Sequence, residues 1–149
     1  IWKNQLQNRI KNLKIGLSNY TGVNSLIHHK SIEGGNSAAS IYGDGFFSSE
    51  MPEYFREVTL VYKLDDITKL LGLIPSLIKI DTDGNELQVL QGAGQTLESP
   101  IVKKLLVEIS SDLEQISIVD FLKIYNFTLD KTFCKSSDGK IFNLIFKRI

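Results

Sequence analysis

Apolar and polar positions alternate along the chain in short blocks. The opening "IWKNQLQNRIKN" sets Trp2, Leu6, Ile10 and Leu13 at helical spacing and predicts an amphipathic helix. "LKIGLSNYTG" predicts a short strand entering a turn at Asn19–Gly22, and "NSLIHHKSI" a second strand. Residues 33–50, rich in Gly and Ser, predict irregular loop. "REVTLVYKL" is dense in β-branched and aromatic residues and predicts a strand. "DDITKLLGL" predicts a short helix, capped by Asp65 or Asp66 and ended by Gly72.

"SLIKI" is almost wholly apolar, the pattern of a strand buried on both faces. "GNELQVLQGAGQTL" predicts one helix with Leu87, Leu90, Gly94 and Leu97 on its inner side. "KKLLVEIS" predicts another buried strand. "DLEQISIVDFLKIY" predicts an amphipathic helix with Asp112 at its N-cap and Gln115 completing a capping box. "FTLDKTF" and "KIFNLIFKRI", joined by "SSDG", predict an antiparallel hairpin. Strand–helix–strand–helix ending in a strand pair predicts an α/β fold: a doubly wound, mostly parallel sheet with an antiparallel C-terminal edge.

Composition narrows the function classes. The 149 residues suit one domain with a real core, and 42% hydrophobic with 23% charged residues is ordinary for a globular chain. Seventeen basic and seventeen acidic side chains cancel, which gives no electrostatic case for nucleic acid or an anionic membrane. No apolar run reaches the length of a membrane span. Cys134 is the sole cysteine, so an internal disulfide and a cysteine-based zinc site are excluded and a cytoplasmic address fits. The chain opens on Ile1 inside a helical pattern, so a single, N-terminally truncated domain over residues 1–149 is expected.

"LIKIDTDGNELQVLQGAG", residues 77–94, carries the densest candidate chemistry. Asp81, Asp83 and Asn85 alternate as in a calcium loop. Such a loop needs Gly at its sixth position and Glu at its twelfth. Counted from Asp81, those positions hold Glu86 and Gly92, so calcium fails. "GAGQTL" follows a helical segment, whereas a dinucleotide fingerprint needs its glycines in a strand-to-helix turn. Gly92 and Gly94 therefore read as a packing face and a helix end. In open α/β sheets ligands bind beyond the carboxyl ends of the strands. Asp81 lies at that end of "LIKI", while Asp83 and Glu86 suit the start of the next helix as a capping box. Capping explains those two well and Asp81 less well, since a carboxylate ending a buried strand is costly unless paired or wet.

"VYKLDDI", "LIKIDTDGNELQVLQGAGQTL" and "LLVEIS" together resemble the FkbM-type S-adenosylmethionine-dependent methyltransferases. Leu64, Asp65 and Asp66 match that family's "tLDdl" segment. Ile78, Lys79, Ile80, Asp81, Gly84 and Glu86 match its "IKIDvEGaE", Leu90, Gly92 and Ala93 its "vLkGa", and Val107 and Glu108 its "vE" strand. Thr82, Asp83 and Asn85 depart mildly from it. "KNQLQNRIKNLKIGLSNYTG" resembles the stretch before this region, with Gly16 in place of the usual Ala. The resemblance is sharp from Val61 to Glu108.

The resemblance implies a partial Rossmann-like class I methyltransferase fold. It also implies methyl transfer from S-adenosylmethionine to a hydroxyl of a sugar, polyketide or similar small metabolite. The protein's share of such a displacement is to align the acceptor oxygen and help remove its proton. Asp81 is the expected site carboxylate, near the methionine end of the cofactor or the acceptor. Glu108, ending the next strand, is the second catalytic candidate beside a plain polar pairing. Ser18 and Asn19 are candidates to border the adenine, beside a plain turn. No metal is expected. The family's glycine-rich turn and its ribose-binding acid have no counterpart upstream of Leu13, so weak or absent cofactor binding is expected of this chain alone. That gap also keeps open a non-catalytic α/β binding or assembly module. An uncovered sheet edge would favour homo-oligomers. His28 and His29, neighbours on a strand, point to opposite faces and cannot chelate one ion. Tyr42, Phe46, Phe47 and Tyr54 would either wall an acceptor site or hold a loop in place.

Overall fold

The computed structural model describes residues 2–28, 39–41, 55–82, 84–134 and 141–149. A 3-10 turn at Trp2–Asn4 leads by irregular chain to β1 (Gly16–Leu17), β2 (Gly22–His28), β3 (Ala39–Ile41) and β4 (Phe55–Tyr62). These form one sheet in the order β1-β4-β2-β3. Then come α1 (Leu64–Leu71), β5 (Leu77–Ile80), α2 (Glu86–Gln91), α3 (Gly94–Glu98), β6 (Lys104–Ile109), α4 (Asp112–Lys123), β7 (Phe127–Cys134) and β8 (Phe142–Arg148). The second sheet has the order β5-β6-β8-β7.

The fold is α/β, but its sheets are mixed and not mostly parallel. β1 pairs parallel with β4, and β5 with β6; the other pairings among the described residues are antiparallel. Parallel neighbours in sequence need a crossover of a dozen or more residues. In the second sheet β5 and β6 are joined by one, through α2 and α3, and pair side by side, whereas the α4 connection carries the chain past the place of β8 to β7. The expected C-terminal hairpin is present, with β8 lying between β6 and β7. β3 falls inside the stretch expected to be irregular, where it pairs with β2.

One hydrophobic core lies between the second sheet and its helices. Leu105, Val107 and Ile109 from β6 meet Leu144 and Phe146 from β8, Val89 and Leu90 from α2, and Ile118 and Leu122 from α4. Each such side chain contributes about 1.5–3 kcal/mol on leaving water. Arg148 fastens the rim of this core. Its guanidinium donates to the carbonyls of Val102, Tyr125, Leu97 and Ser99 and lies 4.4 Å from the centre of the Phe127 ring.

Several local expectations change. The opening helix stops after one 3-10 turn, where Gln5 takes a positive φ of 56°. Ile10 and Leu13 stay exposed, and a short amphipathic helix with no face to pack on is not stable. β5 is not buried on both sides: Ile80 is, whereas Leu77 is 66% exposed, because β5 is an edge strand among the described residues. The helix foreseen over residues 84–97 is two helices, broken at Gly92 and Ala93. α4 is capped one residue earlier than expected, by Ser111, whose Oγ accepts from Glu114 N at 3.2 Å. α1 ends at Gly72, as foreseen, with φ 63°. Asp83, His29, the "SSDG" turn and the aromatic residues Tyr42, Phe46, Phe47 and Tyr54 lie outside the described residues.

Candidate active site at the carboxyl ends of β5 and β6

Alternation along β5 divides its side chains between two faces. Ile78 and Ile80 turn toward the helix-covered core, which leaves Leu77, Lys79 and Asp81 for the opposite face. β6 runs parallel in the register Ile78↔Leu105 and Ile80↔Val107. Leu105, Val107 and Ile109 are buried on the core side, so Lys104, Leu106 and Glu108 share the face of Lys79 and Asp81. Asp81 follows Ile80 as Glu108 follows Val107. Both predicted carboxylates thus stand at the carboxyl ends of neighbouring parallel strands, on one face.

Asp81 lines a cleft of about 410 Å³ along the outer edge of β5. Leu17, Leu64, Ile80 and Val89 supply apolar wall, and Thr82 and Asp81 the polar end. Lys79 Nζ sits 2.5 Å from Asp81 Oδ2, giving the carboxylate a counter-charge. The sequence reading missed this partner, although residues two apart on a strand share a face. Glu108 is half-buried opposite Asn143 of β8 and is not part of the cleft lining.

The turn after Asp81 is held from behind by Glu86. This side chain is 2% exposed, and its Oε1 accepts from Thr82 N at 3.0 Å, Thr82 Oγ1 at 3.0 Å and Gly84 N at 3.2 Å. Glu86 therefore begins α2 by reaching back to the preceding turn, which fixes the direction in which β5 delivers Asp81. The cap itself is Asn85, whose Nδ2 instead donates to Leu17 O at 3.0 Å and brings the end of β1 into the cleft wall.

Ser18 and Asn19 follow Leu17 directly. Ser18 is fully buried, and its N donates to Tyr62 O at 3.1 Å. Asn19 is exposed and donates from Nδ2 to Gln91 Oε1 at 3.0 Å. Neither side chain is part of the cleft lining, although Leu17 is. Close packing explains why Gly92 stands behind them: a Cβ there would lie 2.1 Å from Ser18 O.

The aspartates of "KLDDI" do not cap α1, which starts after Lys63 without a side-chain cap. Asp65 caps α3 across space. Its Oδ1 accepts from Thr96 N and Thr96 Oγ1, both at 2.7 Å, and its Oδ2 from Gln95 N at 2.9 Å. Asp66 accepts from Thr21 Oγ1, tying α1 to the start of β2. His28 pairs with Glu57 Oε1 at 2.9 Å on the first sheet, and it too is not part of the cleft lining. Among the described residues no three His, Cys, Asp or Glu side chains are grouped to hold a metal ion, and no helix is long and apolar enough to cross a membrane.

No curated protein matches the chain, and no solved structure does. A family model, described as the methyltransferase FkbM domain, matches residues 3–134. This span takes in β1, the Asp65 cap, the strand end bearing Asp81, the Glu86-held turn and Glu108, and over that length the chain belongs to the FkbM methyltransferase domain family.

Proposed function

We propose that the chain is the acceptor-side part of an S-adenosylmethionine-dependent O-methyltransferase, in a Rossmann-like class I fold. Its substrate is a hydroxyl of a sugar, polyketide or similar small metabolite, handled in the cytoplasm. The observation that carries this reading is Asp81: a carboxylate at a strand end, in an apolar cleft, directed by a buried Glu86. When bound, the cofactor supplies an electrophilic methyl group on a sulfonium centre.

The chain's own residues have three tasks. Asp81 accepts a hydrogen bond from the acceptor hydroxyl and takes up its proton, a contribution typically of about 10²–10⁴-fold. Lys79 balances the charge of Asp81 before the acceptor arrives. Leu17, Leu64 and Val89 exclude water and hold the acceptor at attack distance. Glu108 lies outside the lining of this cleft and enters the proposal as a second carboxylate on the face that it shares with Asp81. The Ser18–Asn19 segment borders the adenine with its backbone, since the Ser18 side chain is buried. The residues present fit the carboxylate and apolar side of a cofactor site. Among the described residues no glycine-rich strand-to-helix turn supplies its other half.

Titration calorimetry of the full-length protein with S-adenosylhomocysteine tests the reading. One-to-one binding that weakens at least about tenfold in Asp81→Ala supports it, a loss of about 1.4 kcal/mol. Binding unchanged by the substitution removes Asp81 from the site. No binding to the full-length protein points instead to a non-catalytic module.

A further inference from the structure

Glu86 has a second carboxylate oxygen that the turn does not use. Oε2 is buried and meets no N–H or O–H donor among the described residues. A buried carboxylate oxygen left so is costly. Glu114, from the first turn of α4, lines one hollow with Gly84 and Leu87, the residues on either side of Asn85 and Glu86, and its side chain bonds to that of Glu86. Two carboxylates can bond only when one of them carries a proton.

We propose that Glu86 and Glu114 share a single proton, which fastens Thr82 and Gly84, behind Asp81, to the head of α4 and lets them go as pH rises. The geometry supplies both ends of the link. On one side Glu86 Oε1 holds Thr82 and Gly84. On the other, Glu114 Oε2 accepts from Ser110 N at 3.1 Å, which ties it to the end of β6. The remaining Glu114 oxygen carries the proton and donates it to Glu86 Oε2.

The surroundings favour the protonated form. Leu87, Gln88, Leu113 and Ser117 line the hollow between α2 and α4, and none of them is charged. Among the described residues Glu86 is the charged group acting on Glu114, and no Lys or Arg offsets it. Glu108, from β6, stands on the other face of the sheet, and Asp112, beside Glu114 on α4, is exposed. Partial burial, the hydrogen bond that protonated Glu114 donates to Glu86 and repulsion by the Glu86 charge push the Glu114 carboxyl up to about 7 from 4.5, against the Ser110 N–H. The link is therefore closed in mildly acidic solution and opens through neutral pH. It holds whatever the cleft binds, so its test is independent of methyl transfer.

Side-chain carboxyl carbons of Glu, followed by NMR from pH 4 to 9, read the proton directly. The Glu114 signal is expected to titrate near 7. Exchange protection of the Thr82 and Gly84 amides should fall above that point, by up to about tenfold per pH unit, the slope of one proton. In Glu114→Gln the amide NH₂ donates at every pH, so protection corrected for intrinsic exchange should become flat. A Glu114 signal that titrates in the ordinary carboxylate range overturns the proposal. So does a Glu114→Gln protein that keeps the wild-type pH dependence. The wild-type titration decides alone if that variant does not fold.

Discussion

Replacing Gly92 with Ala sets two effects of opposite sign against each other. Gly92 has φ −77° and ψ 1°, a conformation open to any residue. Backbone reasoning alone therefore predicts a gain: Ala removes freedom from the unfolded chain and stabilises by about 0.4–1 kcal/mol. Packing predicts the reverse. The new Cβ would sit 2.1 Å from Ser18 O, 3.1 Å from Ser18 C and 3.3 Å from Asn19 Cα. All three are backbone atoms, so no rotamer change relieves the contact. Overpacking of a rigid site costs about 1–3 kcal/mol, occasionally more, and a backbone clash this short belongs at the top of that range. The net expectation is a loss of about 2 kcal/mol, or about 5–8 °C in Tm for a chain of this size.

Urea unfolding followed by circular dichroism measures the loss. Gly94→Ala serves as the comparison, since the one tight contact of its Cβ would be the Tyr125 hydroxyl, at 3.1 Å and at the end of a side chain, with Tyr125 Cζ and Asp65 Oδ2 at ordinary distances of 3.9 and 4.0 Å. That variant should lie within about 1 kcal/mol of wild type. A Gly92→Ala protein as stable as wild type, or more so, refutes the claim that Gly92 is set by contact with Ser18. The displaced Ser18 peptide would also shift Leu17, so any ligand of the cleft should bind more weakly in this variant than the stability loss alone requires.

Asp65→Ala removes the cap of α3 while leaving α1 uncapped as before; a loss of about 1–2 kcal/mol in urea unfolding is expected, and a loss below about 0.5 kcal/mol would refute the cross-chain cap. The outer edge of β5 has no strand beside it among the described residues, and Leu77 lies exposed there, so self-association at raised protein concentration is expected. Light scattering that gives a monomer at every concentration argues against this.

Features that depend on near neighbours were legible in the sequence. Asp81 could be placed at a strand end because four apolar-patterned residues precede it and a helix pattern follows. Gly72 and the β7–β8 hairpin were legible for the same local reason. Asp65 was misassigned because its partners, Gln95 and Thr96, are thirty residues away and nothing nearby marks them. The break at Gly92 was missed because "ELQVLQGAGQTL" keeps a helical rhythm through it; contact with Ser18, not local propensity, decides that point. The opening helix failed for the converse reason. Its pattern is sound, but its apolar side chains Ile10 and Leu13 find no surface to cover. The link from Glu86 to Glu114 is invisible in the sequence, since only the fold brings α2 and α4 side by side.

The position of β8 has a kinetic meaning. It follows β5, β6 and β7 in sequence, yet among the described residues it lies inside their sheet, between β6 and β7. Among the described residues, until it arrives β6 has β5 alone beside it and β7 has no neighbour in its sheet. The apolar faces of β6 and α4 must wait in that interval with part of their cover missing. Pairing β6 with β8 also joins residues about forty apart, such as Leu105 with Phe146. Such distant pairings close slowly, because the loop entropy is lost before the contacts repay it. These four strands are thus completed from the middle, by the strand that comes after the other three in sequence.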